Sequence, residues 1–208
     1  MRFPERIDHQ YLKYYYPSEG DVILDLGAHH GEVTLPYSKL VGNTGKIIMV
    51  EPYSDSIDVI KDRIFKYNLK NIIILPIGTW NKNTIYDLQV TETSTSNNLF
   101  SGGVCTTEIT LQTLDTIVEE LKLDKIDFIK CDIEGAEIET FDLNVCSKTL
   151  DITKNVAIAT YHIRNDEKTY RYIEDILKKK GFDVITHKDE VYFTPKRFEV
   201  TYGTKLSK

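Results

Sequence analysis

Short apolar runs return along this chain at regular intervals, and each gives way to a polar or glycine-containing stretch and then to helical spacing. Val22–Leu26, Lys46–Glu51, Ile72–Leu75, Ile126–Lys130 and Val156–Tyr161 read as strands. Their β-branched content without polar alternation suits parallel strands covered on both faces. Between them, Glu32–Leu40 reads as a helix closed by Gly42. Pro52 and Ser54 open a second, with Ile57, Ile60 and Ile64 at i, i+3, i+7. Leu114–Leu121 and Glu167–Lys179 read as further helices, the last stopped by Gly181. Strands alternating with crossover helices predict a doubly wound α/β sheet.

The remaining segments fit around that frame. Residues 1–20 form a helical lead-in, with Tyr11, Leu12, Tyr15 and Tyr16 at helical spacing before Pro17. Those aromatics either pack on the main body or form a flap over the site. Thr84–Val90 and Cys105–Leu111 read as strands flanking a polar loop from Thr91 to Gly103, which is either a substrate lid or slack. Phe182–Thr186 and Val191–Thr194, joined by Lys188-Asp189-Glu190, predict a C-terminal antiparallel hairpin. Residues 21–208 are read as one domain.

Composition narrows the partners. The 208 residues carry a formal net charge of -6, which argues against a nucleic-acid duplex as ligand. The locally basic C-terminal segment (Lys196, Arg197, Lys205, Lys208) reads as solvated. Cys105, Cys131 and Cys146 are scattered without CxxC spacing, so disulfides and zinc are not expected. The sequence predicts no membrane span and shows no secretory h-region, so the expected compartment is the cytoplasm. It does not indicate an oligomeric state.

The chemistry gathers where the predicted strands end. Asp25-Leu26-Gly27-Ala28-His29-His30-Gly31 is a strand, a tight turn and the approach to a helix, a place where a ligand can lie against backbone N–H groups. Glu51 ends the second strand twenty residues past Gly31, where an acid can accept from both ribose hydroxyls of an adenosine. NAD and S-adenosylmethionine both fit that description. The turn is not G-x-G-x-x-G: Ala28 and His29 fill positions where a second glycine would admit a pyrophosphate, and Asp25 suits an ammonium better than phosphates.

These residues resemble the FkbM-type S-adenosylmethionine-dependent methyltransferases. The likeness lies in Asp25-Leu26-Gly27-Ala28-x-x-Gly31, Glu51-Pro52, Thr113-Leu114-Asp115 and above all Ile129-Lys130-Cys131-Asp132-Ile133-Glu134-Gly135-Ala136-Glu137. It departs at His29, where the family commonly has Asn. The resemblance implies a class I methyltransferase (Rossmann-like) fold and O-methylation of a sugar-like or other small-molecule hydroxyl, on a small-molecule or glycan acceptor. Carried over by position, Asp25 and Gly27 to Gly31, Ala28 included, would hold the methionine end, Glu51 the ribose and Gly78 the adenine border. Asp132 would face the sulfonium and the nucleophile.

A hydroxyl acceptor must also lose a proton. Asp132, Glu134 and His162 are the candidate catalytic groups, with His162 the first choice of base because its ordinary pKa is nearest neutral. The same three side chains are candidate ligands for a divalent metal, the lesser of the two readings. The alternatives are an N-methyltransferase of a small amine, an NAD-dependent oxidoreductase, and a non-catalytic adenosyl-binding protein.

Overall fold

The structure, a computed structural model, describes residues 10–90, 105–164, 167–190 and 197–205. A 3-10 turn at Gln10–Leu12 leads to β1 (Val22–Leu26). A second 3-10 turn, Leu35–Tyr37, runs into α1 (Ser38–Val41), followed by β2 (Lys46–Val50), α2 (Ser54–Tyr67) and β3 (Ile72–Leu75). Next come β4 (Gly78–Thr79), β5 (Thr84–Val90), β6 (Cys105–Gln112), α3 (Leu114–Glu120), β7 (Ile126–Cys131), α4 (Glu137–Thr140), α5 (Leu143–Asp151) and β8 (Thr153–Ala159). The chain finishes with β9 (Ile163–Arg164), β10 (Glu167–Lys168), α6 (Tyr170–Lys179), β11 (Asp183–Glu190) and β12 (Arg197–Thr204).

Seven strands form the central sheet in the order β3-β2-β1-β7-β8-β12-β11. The first five are parallel neighbours, and β12 enters antiparallel between β8 and β11. This is the expected mostly parallel α/β sheet with an antiparallel hairpin at its C-terminal edge. The chain leaves β1 toward β2 and later returns to β1's other side as β7, so the order reverses there. A crevice opens beyond the carboxyl ends of strands at such a switch.

Both faces are covered, as the continuous apolar strands required. Leu24, Leu26, Ile48, Val50, Ile129 and Ile158 face one layer with Leu114 and Ile117 of α3, Leu150 of α5 and Ile173 and Leu177 of α6. Ile23, Ile47, Met49, Phe128, Ala157 and Ala159 face the other, with Tyr11, Val41 and Ile60. A smaller sheet, β4-β6-β5, stands apart from the main one and packs Trp80 on Ile109 and Leu111.

Several boundaries differ from expectation for identifiable reasons. The helix expected over Glu32–Leu40 does not begin until the 3-10 turn at Leu35, where Pro36 occupies a starting position, and α1 itself is four residues long. The lead-in helix reduces to Gln10–Leu12. β8 ends at Ala159, short of Tyr161, and α6 begins at Tyr170 because Glu167 and Lys168 pair with Arg164 and Ile163 instead. Lys188–Glu190, expected as the hairpin turn, belongs to β11, and the strand opposite is Arg197–Thr204, within the segment expected to be a solvated tail. The expected strand Val191–Thr194 and the polar loop 91–103 lie outside the described residues. α5 was not anticipated, although Leu143, Cys146 and Leu150 carry helical spacing and Asp142 caps it by accepting from Asn144 N–H at 2.9 Å.

Candidate active site

Parallel register sets the first contact. Leu26 lies opposite Cys131, and Asp25 opposite Lys130, on adjacent strands. Lys130 is buried and places Nζ 3.0 Å from Asp25 Oδ1. It also donates to the carbonyl of Gly27 at 2.6 Å. Thr34 Oγ1 donates to the other carboxylate oxygen of Asp25. Burial pushes the Lys130 ammonium down, but Asp25 and Asp132 outweigh it and hold the group above its ordinary value. Asp25 is wholly inaccessible and is paired with Lys130 beneath the turn.

The turn itself is tightly wound. Gly27 has φ +73, and a Cβ there would lie 1.9 Å from the carbonyl oxygen of Asp132. Only glycine lets the bend after β1 lie flush against the chain leaving β7. Gly27 and Ala28 donate their N–H groups to the carbonyl of Val50 at 3.0 and 3.1 Å, and Gly31 donates to Ala28 at 2.8 Å. His29 N–H donates to Glu51 Oε2 at 2.8 Å. The N–H groups expected to face a ligand at Gly27, Ala28, His29 and Gly31 are thus engaged within the protein. α1, beginning at Ser38, offers no helix N-terminus at this turn.

Glu51, directly after β2, accepts from His29 N–H through Oε2 and from Tyr53 N–H at 2.9 Å through Oε1. Each oxygen retains a second lone pair for a further donor. Burial raises its pKa, against the pull of those two N–H groups and of Lys130. Gly78, expected beside an adenine, starts β4, and a Cβ there would meet Leu111 of β6 at 2.6 Å. His29 and His30 stack at 3.7 Å between ring centroids, with Glu32 nearby.

Beyond β7, the structure brings Asp132, Glu134 and His162 together. Asp132 Oδ2 accepts from the Tyr11 hydroxyl at 2.7 Å, and Oδ1 accepts from the Tyr161 hydroxyl at 3.0 Å. Burial and the neighbouring Asp132 raise both phenols, which therefore remain donors. Tyr11 thus packs on the body and covers Asp132 at once, joining the two readings of the lead-in aromatics. His162 Nε2 lies 3.7 Å from Glu134 and 4.0 Å from Asp132, and Nδ1 lies 3.1 Å from the buried Glu137. Burial disfavours the imidazolium, but Glu134 and Glu137 outweigh it and push the His162 pKa up to about 10. At neutral pH the ring is therefore protonated, which bars it from accepting a proton until it has lost one.

The sequence offers Tyr11 only within a group of aromatics over the site, and does not single out Lys130 or Tyr161. A lysine inside a strand that is otherwise buried was itself a signal, since an ammonium there requires a partner. The pairing of both phenols with Asp132 depends on tertiary structure and leaves no local pattern.

With this geometry in view, the chain matches the methyltransferase FkbM domain over residues 25–184. It superposes on the methyltransferase FkbM of Methylobacillus flagellatus KT with a TM-score of 0.66 at 17% identity, covering 92% of this chain and 45% of that one. It therefore spans less than half the length of that relative. A SAM-dependent methyltransferase from Aquifex aeolicus (TM-score 0.52, 18% identity, 94% and 87% covered) shares the fold. So does Aeropyrum pernix fibrillarin, solved with natively bound S-adenosyl-L-methionine (TM-score 0.56, 12% identity, 92% and 70% covered). The bend after β1 and the carboxylates after β7 lie within the matched span, and the chain belongs to the FkbM methyltransferase domain family.

Proposed function

We propose that this protein transfers the methyl group of S-adenosylmethionine to a hydroxyl of a small, sugar-like acceptor. The observation that carries the reading is the position of Glu51. It ends β2 beside the β1 turn, is bonded to that turn through His29 N–H, and keeps lone pairs for two ribose hydroxyls. Family membership favours the sulfonium cofactor over NAD, as does a turn in which the N–H groups of Gly27, Ala28, His29 and Gly31 already have acceptors within the protein.

The transfer is an in-line displacement. A lone pair of the acceptor oxygen forms the new bond to the methyl carbon as the C–S pair withdraws to sulfur, leaving a neutral thioether. Because sulfonium is already a good leaving group, alignment and exclusion of water supply most of the rate. The hydroxyl proton must leave as well, and Asp132, Glu134 and His162 surround the place for it. In this reading Asp25 and Lys130 position the turn and do not touch cofactor.

The test is calorimetric titration with S-adenosylmethionine, S-adenosylhomocysteine and NAD, followed by transfer of a labelled methyl group to a panel of hydroxyl and amine acceptors. Binding of both adenosyl ligands without NAD, and label in hydroxyl acceptors, are expected. Absence of adenosyl binding overturns the cofactor assignment; label only in amines overturns the choice of oxygen.

A further inference from the structure

We propose that Asp132, Glu134 and His162 Nε2 form a binding site for one divalent cation of the Mg²⁺/Mn²⁺ kind. Its existence is argued from geometry alone; its use in methyl transfer rests on the function proposed above.

The three donors come from the ends of adjacent strands, two following β7 and one following β8, and their ligand atoms lie within 4.8 Å of one another. Nε2 is 3.7 Å from Glu134 Oε2 and 4.0 Å from Asp132 Oδ1. In an octahedron with bonds of ~2.1 Å, adjacent ligands sit ~3 Å apart and opposite ones ~4.2 Å. The two His162 separations fall between these limits, so a small inward movement of side chains would bring the three donors onto one ion.

The second observation concerns the far side of the imidazole. Both ring nitrogens are buried, yet neither has a hydrogen bond of acceptable geometry. Glu137, wholly buried, stands 3.1 Å from Nδ1. A carboxylate behind Nδ1 fixes a proton there, so a cation that displaces the proton from Nε2 takes that lone pair, the carboxylate–imidazole–metal relay. Without an ion, Nε2 instead directs a proton at two carboxylates beyond hydrogen-bonding distance.

The donor set selects the ion. Two carboxylates and one imidazole with no thiolate suit hard to borderline cations. Glu134 and Asp132 are partly exposed, at 38% and 24%, so coordination positions stay open to water and to an acceptor oxygen. An ion held there would acidify a bound hydroxyl, whose proton would pass to water while the oxygen lone pair bonds the methyl carbon and the C–S pair withdraws to sulfur.

The experiment uses chelator-stripped full-length protein titrated with Mn²⁺, free ion being read by electron paramagnetic resonance. One Mn²⁺ per chain is expected. Glu134→Gln and His162→Gln should each weaken it by at least ~10-fold, and Glu137→Gln by ~10–100-fold. S-adenosylhomocysteine binding is measured in parallel with chelator present, and confirms that each variant is folded. Lack of Mn²⁺ uptake by the parent overturns the site. So does unchanged uptake in the Glu134 and His162 variants, which would move the ion to His29, His30 and Glu32. Mn²⁺ bound at the predicted residues without adenosyl binding leaves the site standing and sinks the methyltransferase use.

Discussion

Tyr11 and Asp132 are separated by 121 positions in sequence, and the phenol of the first donates to the carboxylate of the second at 2.7 Å. A segment that precedes the first strand is thereby fastened to the loop that follows β7, over the group that faces the proposed acceptor. Tyr161 completes the arrangement from the end of β8. The site is thus closed on one side by two hydroxyls aimed at one carboxylate.

Replacing Tyr11 by Phe keeps the buried ring and removes the hydroxyl that bonds Asp132. A hydrogen bond to a charged group contributes about 1.5–3 kcal/mol, so the melting temperature should fall by about 3–12 °C. Thermal unfolding followed by circular dichroism measures this. A Tyr11→Phe protein melting with the parent would mean that the bond adds nothing to stability.

His162 gives stability a characteristic dependence on pH. Its folded pKa of about 10 lies above the ordinary value of 6.5, so the stabilisation is complete below about pH 6.5 and is lost as pH rises through about 10. Urea titrations between pH 6 and 10 should show the parent losing stability relative to His162→Gln. Parallel curves for the two proteins would rule out the raised pKa.

Glu51 should make cofactor binding sensitive to acid earlier than an ordinary carboxylate would. Burial raises its pKa, and ribose hydroxyls donate best to the ionised form. Affinity for S-adenosylhomocysteine should therefore fall on acidification from above the usual carboxylate range. Glu51→Gln should bind ~10–100-fold more weakly, by the loss of charged hydrogen bonds, and with a flatter pH profile. Calorimetry at three pH values decides the matter.

Asp25 and Lys130 form a buried pair, so removing either alone should cost about 3–5 kcal/mol, while replacing both by apolar residues should cost far less. A double-mutant cycle with Asp25→Leu and Lys130→Met, measured by urea unfolding, reports the coupling. Simple additivity would mean that the two charges act independently.

Two glycines with nearly the same backbone angle should respond very differently to alanine. Gly181 has φ +79 with nothing within 4 Å of a built Cβ, whereas Gly27 has φ +73 and meets backbone at 1.9 Å. Gly181→Ala should cost only about 1–2 kcal/mol, the left-handed penalty. Gly27→Ala should cost several times that or prevent folding, as soluble yield and urea midpoints would show.

Much of this was legible in the residues because parallel strands buried on both faces leave a strong signal. β3 and β5 were read to the residue, and the sheet class followed from alternation alone. Glu51, Asp132, Glu134 and His162 were placed at strand ends by topology, which sequence order nearly dictates. What sequence did not show was which groups are already engaged. The pairing of Asp25 with Lys130 and the acceptors taken by the turn's N–H groups, Val50, Glu51 and Ala28, come from register and tertiary packing. Such pairings belong to tertiary structure and leave no local pattern. Helix starts failed where Pro36 and a 3-10 turn shortened the first crossover, and α6 lost its first residues to β10.

The absence of space for even a methyl group between Gly27 and the Asp132 carbonyl has a consequence for how such a protein diversifies. The bend proposed to carry the cofactor end and the strand end proposed to face the acceptor pack backbone to backbone, so a shift in one displaces the other. Change in acceptor preference is left to parts joined to this seam by side chains alone, such as the strap bearing Tyr11 and the separate three-stranded sheet. Substitutions at the seam should therefore disturb both sides of the proposed site together, while those in its periphery should act on one alone.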